Sequence, residues 1–472
     1  TTSGKIQRGA CRLAFLGGSL HVVARSGPVP GEVEPASSAD EAPFLDAASL
    51  LALAPESRHR ALVGDLRRRI GRLLGSAAAE AAEDVPLTSL GLDSLGAVEL
   101  GYSLEEAFGR MPALADLLEG PSLSELARSL LRQLESPPEG ASEALAITGS
   151  APEGLRVCPL SYGQRGLWLL DRLAPEAAAY HIAFAIETLE PIPPRQLAAV
   201  FEVLVERHPS LRTVFSEGVG EEPQQRILES LDVDLLEVPA AAWSEAELTA
   251  YLEAEAYRPF DLESGPLFRL RALELPGSQV LLFAIHHLVA DFGSLDLLLG
   301  ELSRLLAGES LPPLPRTAGY ADFVAWQRAF LDSPAAEPLW SYWRQELEGG
   351  VPVLELPTDR PRPRQQTFHG ASRTLHLSPL ATAPLLQLAR EEGTTPFVTL
   401  LAAFQALLSR LSGQRRFAVG APSSGRRRAE LRHLVGYLVN ALPLTADFGG
   451  RKTFRESVKR LRRTVLEALA HQ

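Results

Sequence analysis

The sequence predicts a multidomain chain: a small all-α four-helix bundle, then a larger region that mixes strand and helix. Three observations carry this reading. Leu62, Leu66, Ile70 and Leu73 recur at helical spacing and share one face. Val280 to Ile285 is an apolar run long enough for a buried strand and too short for a helix, and it stops on His286 and His287. Stretches 27–48 and 135–154, rich in Pro, Gly, Ser and Ala, read as linkers on either side of the bundle.

Composition sets the outer limits. At 472 residues there is room for roughly three domains of about 150 residues each. A chain 46% hydrophobic and 22% charged is ordinary for globular protein. The net charge of −12 argues against nucleic acid as the main partner. Arg67-Arg68-Arg69 is expected to be a solvated face. Cys11 and Cys158 are too few for a disulfide framework or a four-ligand zinc site, so no metal is expected and a cytoplasmic location is. No apolar run approaches the length of a membrane span.

Within the bundle, Ser122 and Glu125 have capping-box spacing ahead of a last helix carrying Leu126, Leu130 and Leu134. An earlier helix opens at Leu90-Gly91-Leu92-Asp93-Ser94-Leu95, where Asp93 or Ser94 can cap. The dipole of such a helix also favours negative charge at its N-terminus.

In the larger region, His286 and His287 are neighbours in extended chain and so face opposite ways. One is expected to point inward and be structural; the other can face a cavity. Ser294 is expected to cap a following helix through Leu297, Leu298 and Leu302. No Gly-x-Ser-x-Gly elbow is present, which weighs against a serine hydrolase.

His286-His287-Leu288-Val289-Ala290-Asp291-Phe292-Gly293 resembles the double-histidine motif of the condensation domains of nonribosomal peptide synthetases. Four further segments resemble motifs of that family in the same order. They begin at Leu160-Ser161-Tyr162-Gly163-Gln164, at Arg207-His208-Pro209-Ser210, at Tyr320-Ala321-Asp322-Phe323 and at Val435-Gly436-Tyr437-Leu438-Val439-Asn440. The resemblance implies two α/β lobes of the chloramphenicol acetyltransferase type, with a tunnel between them and the double histidine at its centre. It implies His287 hydrogen-bonding and positioning an amine, His286 as its inward partner, and Gly293 within the same site motif. Asp291 reads as an anchor paired with an arginine of the 420–426 segment, for which Arg426 is chosen. Asn440 fits either a tunnel wall or a strand-end structural amide. Phe292 stands where the family usually has glycine, and Gly293 follows it, which puts the acceptor preference in doubt.

The bundle resembles acyl carrier proteins, which implies 4′-phosphopantetheine on Ser94 and a phosphopantetheinyl transferase as partner. Glu99, Glu105 and Glu106 read equally as a docking face or as solubilising charge. Thr1-Thr2-Ser3-Gly4-Lys5 and the residues after it resemble the tail of fatty acyl-AMP ligases, with Lys5 as the tail lysine. The expected division is a ligase tail at 1–31, linker 32–54, carrier 55–135, linker 136–154, and condensation lobes at 155–335 and 336–472. The sixth and seventh family motifs do not follow, so the second lobe is expected to be incomplete and the chain to be an excerpt of a megasynthase. The implied partners are an upstream ligase body and downstream adenylation and carrier domains. The implied function is amide formation from a carrier-bound acyl chain in lipopeptide-type biosynthesis. A docking module in which only the carrier is chemically used is the alternative; a soluble coenzyme A-dependent acyltransferase is disfavoured because the donor arm is built in.

Overall fold

The computed structural model describes residues 44–74, 82–90, 92, 100–101, 103–104, 107–108, 112, 116–117, 120–135, 147 and 157–472, except 219, 221, 315–318, 364–365, 369, 372–373, 427 and 451–452. Lys5, Ser94, Glu99, Glu105 and Glu106 lie outside the described residues.

The first unit is helical where described: α1 (Ala47–Leu51), α2 (Pro55–Leu74) and α3 (Leu123–Glu135). Proline at the first position of α2 loses no hydrogen bond, since that N–H has no intrahelical partner. Leu62, Leu66 and Ile70 are fully buried, with Leu100, Leu104, Leu117, Leu126 and Leu130 around them. Ser122 and Glu125 make the reciprocal bonds of a capping box before α3.

Two expectations need correcting here. The packing begins inside the stretch 32–54 read as linker: Leu50 is fully buried, and Leu45 N–H donates to Asp65 Oδ1 at 2.9 Å. The basic run is not a uniform solvated face either. Arg69 is buried, its Nε 2.6 Å from Asp65 Oδ2, with its guanidinium 4.4 Å from the Phe44 ring centroid and Nη1 on the Ser103 carbonyl. A buried cation is tolerable when paired and hydrogen-bonded, and the run's third member meets both conditions.

The α/β region runs β1 (Val157–Pro159), α4 (Tyr162–Leu173), β2 (His181–Thr188), α5 (Pro194–Arg207), β3 (Thr213–Glu217), β4 (Pro223–Ile227), β5 (Leu235–Pro239), α6 (Glu245–Tyr257), β6 (Phe268–Leu275) and β7 (Ser278–His286). It continues through α7 (Phe292–Leu306), α8 (Tyr320–Leu331), α9 (Glu337–Glu346), α10 (Pro379–Glu391), α11 (Pro396–Ser412), β8 (Arg416–Ser423), β9 (Asn440–Asp447) and α12 (Phe454–Ala470). The strands form a three-stranded sheet β1-β4-β3, a four-stranded sheet β2-β7-β6-β5 and the antiparallel pair β8-β9. β7 is central and buried along its whole length, as an apolar run without alternation requires. The main core gathers Leu160, Phe215, Leu267, Leu288 and Ala290 around it.

Ile147, inside the second expected linker, is buried against Tyr320, Phe323 and Val324. The bundle meets the α/β region through Leu466 and Leu469 of α12. Among the described residues, no single helix is long and apolar enough to cross a membrane.

Candidate active site

β7 delivers the two histidines. His286 is its last residue, paired across the sheet with His181 of β2 and 2% exposed. Its Nδ1 accepts from Leu288 N–H at 3.1 Å, so the ring proton sits on Nε2. His181 donates from Nδ1 to the Ala256 carbonyl at 3.2 Å, and its ring lies 5.7 Å from that of His286. Burial pushes the His286 pKa well below the usual histidine range, with His181 and His287 adding to the effect. Burial likewise takes His181 down to about 4. These are two neutral histidines serving as structure.

His287 lies one residue past the strand and is half-buried. Its Nδ1 is 2.8 Å from the Ala290 carbonyl, which can only accept, so Nδ1 carries the proton. Nε2 is then a bare acceptor, without a hydrogen-bond partner among the described residues. Burial lowers the His287 pKa and the Ala290 bond partly opposes it, leaving the ring neutral near neutral pH. Two aromatic rings flank the imidazole edge to face, Tyr437 at 5.0 Å and Phe292 at 6.4 Å. Phe292 is 63% exposed.

The turn after the histidines is fixed by a buried polar network. Asp291 caps α7 by accepting from Ser294 N–H at 2.8 Å, so the expected cap at Ser294 is corrected. The helix starts at Phe292, three residues early, because the carboxylate at 291 takes the N–H of Ser294 as its N3 donor and so places 294 inside the first turn. Asp291 Oδ1 also receives Arg426 Nη2 at 2.6 Å, and Oδ2 receives Leu438 N–H at 3.1 Å. Asp291 and Arg426 are 1% and 7% exposed. Ser294 is the residue the sequence reading placed wrongly in role. Its hydroxyl accepts from Arg426 Nη2 at 2.8 Å and from Gly436 N–H at 3.0 Å. Its own single proton goes to Asp291 Oδ1 or to the Gly436 carbonyl. The Asp-x-x-Ser spacing at a helix start was the available signal.

Gly293 admits Arg426: a Cβ there would fall 2.6 Å from Nε. Asn440 is exposed, first in β9 and opposite Ser423. Among the described residues no group of histidine, cysteine and carboxylate side chains could hold a metal. Ser94 lies outside the described residues, but Leu92 and Leu100 on either side of it are both buried in the bundle core.

A family profile for the condensation domain matches residues 155–472, and one for the phosphopantetheine attachment site matches residues 64–130. The chain is 38% identical over 400 residues to phosphinothricin tripeptide synthetase PhsB of Streptomyces viridochromogenes, covering 81% of this chain and 32% of that protein. It is 35% identical over 391 residues to malpinin synthetase of Mortierella alpina, covering 81% and 5%. The chain thus spans a third or less of the length of these relatives. Among solved structures, a four-domain nonribosomal peptide synthetase bound to AMP and glycine superposes with a TM-score of 0.60 at 26% identity, covering 67% of this chain and 24% of that one. The SgcC5 protein of Streptomyces globisporus superposes at 0.57 and 27% identity, covering 67% and 74%.

Fold and site together define an acyltransferase joined to a carrier. The chain belongs to the condensation-domain family, and it couples that domain to a phosphopantetheine attachment domain as in a nonribosomal peptide synthetase module. Condensation domains are amide-forming acyltransferases, and the attachment domain indicates a 4′-phosphopantetheine prosthetic group.

Proposed function

We propose that the chain passes an acyl group held on its own carrier to a downstream aminoacyl amine, forming an amide. The observation that carries this is the neutral His287, with Nδ1–H committed to Ala290 and Nε2 free to accept. Ser94 is the residue that would hold the prosthetic group, which when bound would supply the thiol for the acyl chain. The nucleophile is an α-amino group, which titrates at about 7.7–8.0 and is already partly neutral at pH 7. His287 therefore need not remove a proton beforehand. Nε2 accepts a hydrogen bond from the amine, orients it, and takes the proton released as the C–N bond forms. The acyl carbon's bond to sulfur would break in the same transfer and the departing sulfur take up that proton; such proton transfer is typically worth about 10²–10⁴-fold. Asp291 and Arg426 hold the turn that aims the ring, and His286 fixes it from behind.

The finer reading rests on the sequence. The tail around Lys5 points to a fatty acyl-AMP ligase body upstream, and hence to a lipid-type acyl group loaded on a four-helix carrier. Downstream adenylation and carrier domains provide the acceptor, and Asn440 belongs to the tunnel between the lobes.

Incubation with coenzyme A and a phosphopantetheinyl transferase should add one phosphopantetheine mass, lost in Ser94→Ala. No added mass would remove the carrier from the account. In the intact parent protein His287→Ala should stop amide formation while leaving acyl loading unchanged; loss of loading as well would mean the histidine acts elsewhere.

A further inference from the structure

The residues 435–438 run between the first and second sheets' elements without joining any strand, yet Val435, Gly436 and Leu438 are buried. Buried main chain outside a ladder must find its hydrogen bonds elsewhere. Here side chains from across the fold supply them. Ser210 Oγ donates to the Val435 carbonyl at 2.6 Å. Ser294 Oγ accepts from Gly436 N–H, and Asp291 Oδ2 accepts from Leu438 N–H. The Tyr320 phenol donates to the Tyr437 carbonyl at 2.6 Å. With its proton so used, that phenol accepts from Ser161 Oγ, 3.1 Å away, and Ser161 in turn caps α4.

We propose that this strap exists to seat the Tyr437 ring against His287, and that Tyr320, Ser294 and Ser210 are positioning residues of the site acting through it. The inference rests on the reading of His287 as the reactive imidazole. The Tyr437 side chain is what the held backbone presents: its ring stands at 88° to the imidazole, 5.0 Å between centroids. Two glycines make room for the arrangement. A Cβ on Gly163 would come 2.6 Å from Tyr437 Cε1, and a Cβ on Gly436 would collide with the Tyr320 ring. The imidazole is thus tied at Nδ1 by Ala290 and closed on one side by Tyr437. The segments beginning at Leu160, Arg207, His286 and Tyr320 each place a residue on the strap, on its tyrosine or on the phenol that holds it.

The test needs no substrate and uses the 472-residue chain. Hydrogen–deuterium exchange of the peptide spanning 434–440 reads the strap. The rate of carbethoxylation at His287 by diethyl pyrocarbonate, assigned by peptide mapping, reads access to Nε2. Tyr320→Phe, which removes one buried bond and little volume, should speed exchange of the strap by about tenfold, the scale of one lost hydrogen bond. His287 should then react several-fold faster. Gly163→Ala touches no strap bond; it should displace the tyrosine ring and raise His287 reactivity with the melting midpoint unchanged or raised. His287 reactivity that stays at the wild-type rate in both variants, with strap exchange raised in Tyr320→Phe, would overturn the proposal, as would exchange unaltered by Tyr320→Phe. If His287→Ala in the intact parent leaves amide formation untouched, the reading of His287 fails, while these two rates still report whether the ring is seated.

Discussion

The bundle and the α/β region bury different things. In the bundle the described interior is leucine upon leucine, with Asp65–Arg69 as its buried ion pair. Around β7 the interior carries His181, His286, Asp291, Ser294, Arg269 and Arg426, all buried. A carrier needs only to stay folded while its attachment serine is displayed, so apolar packing suffices. A site that must hold one imidazole at a fixed angle needs directional bonds, and those come with desolvated polar groups that demand partners. The difference teaches that the α/β region's stability and its geometry are one property, whereas the bundle's are separable.

Breaking the polar centre should have the largest effect. Asp291→Ala leaves Arg426 buried beside an uncompensated gap, and Ser294 N–H and Leu438 N–H lose their acceptor. A loss of about 3–5 kcal/mol is expected, seen as earlier unfolding of the α/β region while exchange in α2 stays slow. Leu66→Ala should be the opposite case. It opens a cavity in the bundle at a cost of about 2–5 kcal/mol, with carbethoxylation of His287 unaltered. Equal loss of protection in both regions for either variant would contradict the separation.

Acid should sharpen the contrast. His181 titrates near 4 when folded and near 6.5 when unfolded, so the unfolded chain binds the proton first. Its contribution is complete above about pH 6.5 and is lost as pH falls toward 4, about 3 kcal/mol in all. His286, depressed further by burial, acts in the same direction. The bundle shows no buried histidine among its described residues. Exchange measured from pH 7 to 4.5 should therefore destabilise the β2–β7 pair before the bundle; simultaneous loss would contradict the assignment.

Sequence pattern carried local elements well and distant partners poorly. Val280–Ile285 was legible because a short apolar run has few other fates; strand alternation required one inward and one outward histidine without saying which, and the resemblance chose His286 as the inward one. Asp291 and Arg426 are 135 residues apart, and nothing in periodicity joins them; only resemblance to a family did. Ser294 was misplaced because aspartate and serine offer the same cap three residues apart. Arg69 was missed because a run of charge gives no hint that one member turns inward, and Ile147 because a lone apolar residue in a Pro/Gly-rich stretch has no period. Tyr437 and Tyr320 lay inside noticed segments, but their role is written in main-chain bonds that composition does not show.

The central claim is a neutral imidazole at His287, protonated on Nδ1 and bare on Nε2. Nitrogen-15 correlation spectra of the histidine side chains at pH 7, with His287 assigned by its loss in His287→Gln, test it directly. A protonated Nδ1 and a pyridine-like Nε2 for that ring are expected; an Nε2-protonated tautomer, or an imidazolium at that pH, would contradict the account.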